Sequence, residues 1–308
     1  MRIVIQNTLG GPEVLEVVET SSPVPGPGEV RVTVGAIGVN PVDAAVRAGH
    51  FPLLGEPPFT VGWDVAGHVD AVGEGVTGLA VGDRVFGMPH FPSSAAAYAE
   101  QVVAPADELV KTPDGTDDVH AAALPLAALT AYQALVEVAD VRADQRVLVQ
   151  AGGGGVGHLA IQIAKARGAE VVATASPAKI EAVTRFGADQ VVDYTSADFT
   201  EVVAPVDVTI DPFGGDNIIR SLAVTRSGGV VASLLDFDDA AAATAAERGV
   251  RLVRIGVVPN RESLKAIADL VADGRLSAHV PATFPIEKAG DAHAELANGV
   301  LGKLVLLP

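Results

Sequence analysis

The 308 residues contain no cysteine. Disulfides and thiolate zinc centres are therefore excluded. Positive charge is scarce as well: 21 Lys and Arg face 38 Asp and Glu, a formal net charge of −17. A chain this acidic repels nucleic acid and anionic membrane surfaces, so neither is an expected partner. An anionic ligand has to meet a local pocket of backbone N–H groups and a few cations. No run of about 20 apolar residues free of Gly, Pro and charge occurs, which argues against a membrane span. The start, MRIVIQNTLGGPEVLE, lacks the basic segment and apolar core of a secretory signal. A soluble, cytoplasmic protein is the expectation. The histidines, among them His50, His68 and His90, show no metal-ligand spacing.

What is present suggests two domains. Short alternating runs at 2–6, 29–39 and 83–87 have strand character, and Gly/Pro clusters at 21–28, 51–59 and 71–82 separate them. This region predicts a small, mostly β, barrel-like domain. The pattern changes near Asp117. The segment 117–135 carries apolar residues at helical spacing, and Pro125 divides it into two helices or kinks one. From Arg146 onward strands alternate with helices. Strands are expected at 146–150, 170–175, 190–194, 206–212, 229–235 and 250–258. Helices are expected at 156–169, 177–187, 215–226 and 240–246. Unalternating Val/Ile runs of this kind belong to buried parallel strands, and right-handed crossovers make the sheet doubly wound. A further helix at 261–274 and a closing strand in GKLVLLP (302–308) complete the chain.

The strongest chemical signal is AGGGGVG at 151–157. Gly152, Gly154 and Gly157 fit the G-x-G-x-x-G spacing, directly after a strand and opening an amphipathic helix. The first glycine permits a tight turn, the second lets backbone approach a pyrophosphate, and the third lets helix pack on strand. The helix N-terminus adds free N–H groups and partial positive charge. The competing reading is a glycine-rich turn without a ligand. An acid at the tip of the second strand would hold a ribose 2′-hydroxyl. None stands there: Ser176 and Lys179 do, and either favours a 2′-phosphate. Lys179 also reads as an ordinary solvated helix lysine.

The chain resembles the zinc-independent quinone oxidoreductases of the medium-chain dehydrogenase/reductase family. The resemblance rests on GVNPVDAAVRAG (38–49), VGWDVAGHV (61–69), AVGEGVTGLAVGDRVFG (71–87), AYAEQVVAP (97–105) and AAALPLAALTAYQAL (121–135). It continues through the 151–157 loop, GADQVVDY (187–194), DPFGG (211–215) and GKLVLLP. It implies an α/β protein: a GroES-like, mostly β catalytic domain at 1–120, completed by 259–308, plus a Rossmann domain with a doubly wound parallel sheet at 121–258. The active site would lie in the cleft between them. NADPH would be the cofactor, and a homodimer joined through the cofactor domain the assembly.

Residue by residue, the resemblance puts Asn40 and Thr130 near the nicotinamide, with positioning roles in catalysis. It puts Gly152, Gly153, Gly154, Gly155, Val156 and Gly157 at the pyrophosphate. Ser176, Lys179 and Tyr194 fall at the adenosine phosphate end. Leu234 and Leu235, ending the fifth strand, Val257, ending the sixth, and Lys303 fall near the nicotinamide or the cleft. The residues also allow plainer roles. Asn40 can start a turn, Thr130 can bond its own helix backbone, and Tyr194 can be core. Asp43 can cap a helix, and Asp211 can stabilise a turn or meet a ligand. His50 flanks the implied cleft. Two positions depart from the family: Phe51 stands where many relatives carry Tyr, and Ala96 where Gly is common. Phe51 has no hydroxyl to polarise a carbonyl.

The implied chemistry is metal-free hydride transfer to a quinone or electron-poor enone. Two other readings stay open: an enoyl-thioester or enone reductase of a biosynthetic pathway, and a non-catalytic NADPH-binding protein.

Overall fold

The computed structural model describes all 308 residues, in two compact units: Met1–Leu129 with Val258–Pro308, and Thr130–Val257. The segment 121–129, expected in the second domain, groups with the first.

The first unit begins with the antiparallel pair β1 (Arg2–Ile5) and β2 (Glu16–Glu19). The long strand β3 (Glu29–Val39) leads into α1 (Pro41–Arg47). Then come β4 (Asp64–Val72), β5 (Arg84–Gly87), β6 (Gln101–Pro105) and β7 (Leu109–Lys111). Alternate residues of β3, Val30 and Val32, join Val69, Val85 and Leu109 in one apolar cluster. The expected helical segment is indeed divided at Pro125 into α2 (Asp118–Ala122) and α3 (Pro125–Tyr132). The ring has no N–H to donate, so it suits the first position of the second helix.

The second unit is a six-stranded parallel sheet with helices between its strands. The order along the chain is β8 (Arg146–Val149), α4 (Gly155–Ala166), β9 (Glu170–Ala175), α5 (Ile180–Arg185), β10 (Gln190–Asp193) and α6 (Phe199–Val202). It continues with β11 (Val206–Asp211), α7 (Asp216–Val224), β12 (Thr225–Ser233), α8 (Asp239–Arg248) and β13 (Arg251–Arg254). The spatial order is β10-β9-β8-β11-β12-β13. Two halves therefore wind outward from β8 and β11, the 3-2-1-4-5-6 order of a Rossmann sheet. Two strands stop earlier than the Val/Ile runs suggest. β12 ends at Ser233, whose hydroxyl donates to the Leu235 carbonyl and turns the chain. β13 ends at Arg254, short of Gly256 and Pro259, neither of which supports a strand. Leu234, Leu235 and Val257 therefore follow their strands rather than ending them.

The chain returns to the first unit through α9 (Arg261–Ala272), β14 (Ala282–Pro285), α10 (Ala289–Ala297) and β15 (Leu304–Leu307). The main sheet of this unit has the order β14-β15-β3-β4-β5-β7, with β6 beside β3. No helix is long and apolar enough to cross a membrane.

Candidate cofactor and active site

In a parallel sheet every strand ends at the same edge, and a ligand crevice forms there between the strands where the winding reverses. In the second unit that point lies between β8 and β11. The turn leaving β8 is stitched to β9: Ala151 N–H donates to Thr174 Oγ1 at 3.1 Å and Gly152 N–H to the Thr174 carbonyl at 2.8 Å. The residue that takes the left-handed conformation is Ala151, with φ 51°. Gly152 is needed for space: a Cβ there would sit 2.9 Å from Ala173 Cβ and 3.1 Å from Val183 Cγ1. At Gly157 a Cβ would fall 2.1 Å from the Ala151 carbonyl oxygen. Gly154 is the N-cap of α4 and supplies no side-chain cap. The N–H groups of the first helical turn therefore lack side-chain partners, the requirement for an anion site.

Further along the edge, β9 ends in Ala175, and Ser176 opens a short 3-10 turn that includes Lys179. No carboxylate stands at this tip. Lys179 is half-buried, and burial lowers its pKa from the usual lysine range. Tyr194 follows β10 and is 58% exposed, which rules out its reading as core. Leu234, Leu235 and Val257 follow β12 and β13 at the same edge. Asp211 stabilises a turn: Oδ1 accepts from Phe213 and Gly214 N–H, and Oδ2 from Ser221 Oγ at 2.7 Å and Asn217 Nδ2 at 3.0 Å. Thr130 is buried in the last turn of α3.

Asn40 and Lys303 meet in the first unit. Asn40 is the N-cap of α1, but its side chain turns inward. Its Nδ2 donates to Asp64 Oδ2 at 2.9 Å, and Lys303 Nζ donates to its Oδ1. Lys303 Nζ also donates to the Val39 carbonyl at 2.9 Å and lies 3.4 Å from Asp64 Oδ2. Asp64 Oδ1 accepts from Leu126 N–H at 2.8 Å. Burial pushes the Asp64 carboxyl up and the Lys303 ammonium down, and each opposes the other's shift. The three N–H groups of the ammonium meet three acceptors, which holds the ionised pair.

Asp43 caps α1: Oδ2 accepts from Asn40 N–H at 2.8 Å and from the Tyr98 hydroxyl at 3.0 Å. Tyr98 in turn meets His293, and His293 meets Arg47 Nη1 at 2.9 Å. Burial, with the Asp64 carboxylate adding to it, raises the Asp43 carboxyl to about 7. Asp43 Oδ1 is buried without a partner. Asp64, Tyr98 and His293 were not singled out by sequence reasoning. For Asp64 the signal was a lone polar residue inside an apolar run, VGWDVAG (61–67); Tyr98 and His293 carry no such signal. His50 is exposed at the surface, as is Phe51 beside it.

Residues 26–114 match the alcohol dehydrogenase GroES-like domain, and residues 186–306 a family described as zinc-binding dehydrogenase. The chain is 36% identical to 2-haloacrylate reductase from Burkholderia sp, covering 97% of this chain and 96% of that protein. It is 31% identical to human quinone oxidoreductase, covering 100% and 98%. The crystal structure of Escherichia coli quinone oxidoreductase complexed with NADPH superposes with a TM-score of 0.91 at 30% identity, covering 100% of both chains.

Proposed function

This chain belongs to the quinone oxidoreductase family of medium-chain dehydrogenases and reductases, and we propose that it reduces quinones or electron-poor alkenes with NADPH and without a metal. The observation that carries the reading is the Ala151–Gly157 turn, where a Cβ at Gly157 would strike backbone and α4 opens at the switch point of the sheet. NADPH, when bound, supplies a hydride to the electron-poor carbon of the acceptor.

The chain's own residues bind and orient. The N–H groups of Gly153, Gly155, Val156 and Gly157 receive the pyrophosphate, while Gly152 and Gly154, whose N–H groups are held by the Thr174 and Ala151 carbonyls, shape the turn beneath it. Ser176 and Lys179 hold the adenosine 2′-phosphate, with Tyr194 beside them. Leu234, Leu235 and Val257 offer apolar surface to the nicotinamide, and Asn40 and Thr130 position the reacting partners. Lys303 acts through Asn40, and its N–H groups are already engaged. The proton that balances hydride transfer comes from solvent.

Metal independence is supported by the donor set. The sequence has no cysteine, and no group of three or more His, Asp or Glu side chains is placed to hold an ion. The proposed assembly is a homodimer through the edge of β13, and the location the cytoplasm. The test is a panel of quinones and enones with NADPH or NADH, with and without a chelator, read by cofactor absorbance. NADPH-dependent turnover that survives chelation is expected. No turnover of any acceptor would leave only a binding protein, and loss on chelation would overturn the metal-free chemistry.

A further inference from the structure

We infer that Asp64 and Lys303 are positioning residues that fix the Asn40 side-chain amide in one of its two flip states. The inference rests on the reading of Asn40 as a site residue. An asparagine amide presents an oxygen and a nitrogen of nearly equal size, so shape alone does not choose between its two orientations. Its neighbours here do. An ammonium only donates and a carboxylate only accepts. Lys303 Nζ is at Oδ1 and Asp64 Oδ2 is 2.9 Å from Nδ2. A flipped amide would set its nitrogen against the ammonium and its oxygen against the carboxylate.

Both arms are anchored to backbone. Asp64 Oδ1 holds Leu126 N–H at 2.8 Å, and Lys303 Nζ holds the Val39 carbonyl at 2.9 Å. The parts come from the ends of β3 and β4, the start of α3 and the approach to β15. Lys303 and Asp64 are 3% and 0% exposed along their side chains. A buried ion pair is a poor device for stability, since apolar residues of similar volume do as well or better. It is a good device for orientation. Asp64 takes one of the two Nδ2 hydrogens, and the second is the donor that the clamp presents to a ligand carbonyl.

The test uses the full chain with NADPH and its best acceptor, comparing Asn40→Ala, Lys303→Met, Lys303→Arg and the charge-neutral double variant Asp64→Asn/Lys303→Met. The double variant leaves no unpaired buried charge, so it should fold. Its kcat should fall by about tenfold or more, as for a misplaced positioning group, with KM for NADPH within about twofold. Added to Asn40→Ala, the same two changes should cost less than about twofold more, because the group they act through is gone. Lys303→Arg, donor-only like lysine, should retain more kcat than Lys303→Met. Wild-type kcat in the double variant, losses that multiply with that of Asn40→Ala, or equal losses for Arg and Met at 303 would each overturn the clamp alone. Wild-type kcat in Asn40→Ala would overturn the reading of Asn40 and the clamp with it.

Discussion

The Tyr98 hydroxyl lies 2.8 Å from His293 Nε2, with the two rings edge to face, so the approach to β6 and helix α10 share one buried hydrogen bond. The contact fixes the histidine's tautomer. Arg47 can only donate, so Nδ1 accepts, the proton sits on Nε2, and it points at Tyr98 Oη. Tyr98 then donates to Asp43.

Burial of His293 and Asp43, at the two ends of these bonds, makes two opposed contributions to the pH dependence of stability. Burial, helped by Arg47, lowers His293 from 6.5 to about 3. The unfolded chain takes up that proton first, so stability falls as pH drops from about 6.5 toward 3. Asp43 is raised from 3.8 to about 7, so the folded state keeps a proton that the unfolded state has lost. That stability is fully present below about 3.8 and is lost as pH rises through 7. Between about pH 3.8 and 6.5 the two contributions oppose each other, each with a limiting slope of about 1.4 kcal/mol per pH unit. Relative to the wild type, urea unfolding across that range should show stability falling as pH rises in His293→Gln and rising with pH in Asp43→Asn. Unchanged slopes in the variants would discard the assignment.

Gly157→Ala would bring a Cβ within 2.1 Å of the Ala151 carbonyl oxygen, a backbone atom with no rotamer to escape into. The turn or the helix has to move. Stability should fall by about 1–3 kcal/mol and NADPH affinity by about tenfold. Gly154→Ala, whose Cβ would lie 3.2 Å from the same oxygen, should disturb folding less. Calorimetry and NADPH titration of both variants check this, and a Gly157→Ala protein that binds normally would refute it.

Lys179→Ala should separate the two nicotinamide cofactors. A charge-assisted hydrogen bond is worth about 1.5–3 kcal/mol, which corresponds to roughly tenfold to a hundredfold in NADPH affinity. NADH has no 2′-phosphate and should be almost unaffected. Equal losses for both cofactors would point to packing by this half-buried side chain, and equal kcat/KM for both in the wild type would remove the preference itself.

Ala96 has φ 51°, in the left-handed region that favours glycine. Alanine there costs about 1–2 kcal/mol, and glycine costs about 0.5–1 kcal/mol in the entropy of the unfolded chain. Ala96→Gly should therefore gain about 0.5–1 kcal/mol and raise Tm by a few degrees. A lower Tm would mean that the alanine methyl contributes more than its backbone conformation costs.

β13 lies at the free edge of the six-stranded sheet, with Leu252 and Val253 half-buried between exposed Arg251 and Arg254. An unpaired edge of this kind accepts a second copy across a two-fold axis. A dimer is expected by sedimentation at micromolar concentration, and proline at Arg254, whose N–H faces away from β12, should dissociate it. A wild-type monomer would end the proposal.

The sequence exposes the second unit far better than the first site. Strands such as RVLVQ and EVVATA are continuous apolar runs, and the glycine turn between them has local spacing that names its own chemistry. The polar cluster of the first unit is spread over Asn40, Asp43, Arg47, Asp64, Tyr98, His293 and Lys303. Each alone looks like a cap, a turn or a surface charge. Asp43 is a helix cap, yet it is also buried beside Tyr98, and only the fold supplies that partner. Long-range pairing leaves no local period to read. Strand ends were blurred for the opposite reason: the Val/Ile pattern runs on, while the ladders close with Leu234 N–H on the Asp211 carbonyl and Ile255 N–H on the Ser233 carbonyl.

β15 closes the first sheet by pairing Val305 with Gly38 and Leu306 with Ile37, antiparallel to β3. During synthesis those partners leave the ribosome at opposite ends of the process. The 130–257 unit is continuous and can complete its sheet as soon as it emerges, but the last part of one edge of β3, Ile37–Val39, waits open. Asp64 waits as well, its carboxylate without the ammonium that will neutralise it. A chain halted before residue 303 keeps both defects, an open strand edge and an uncompensated charge, and both are signals that proteases and chaperones act on.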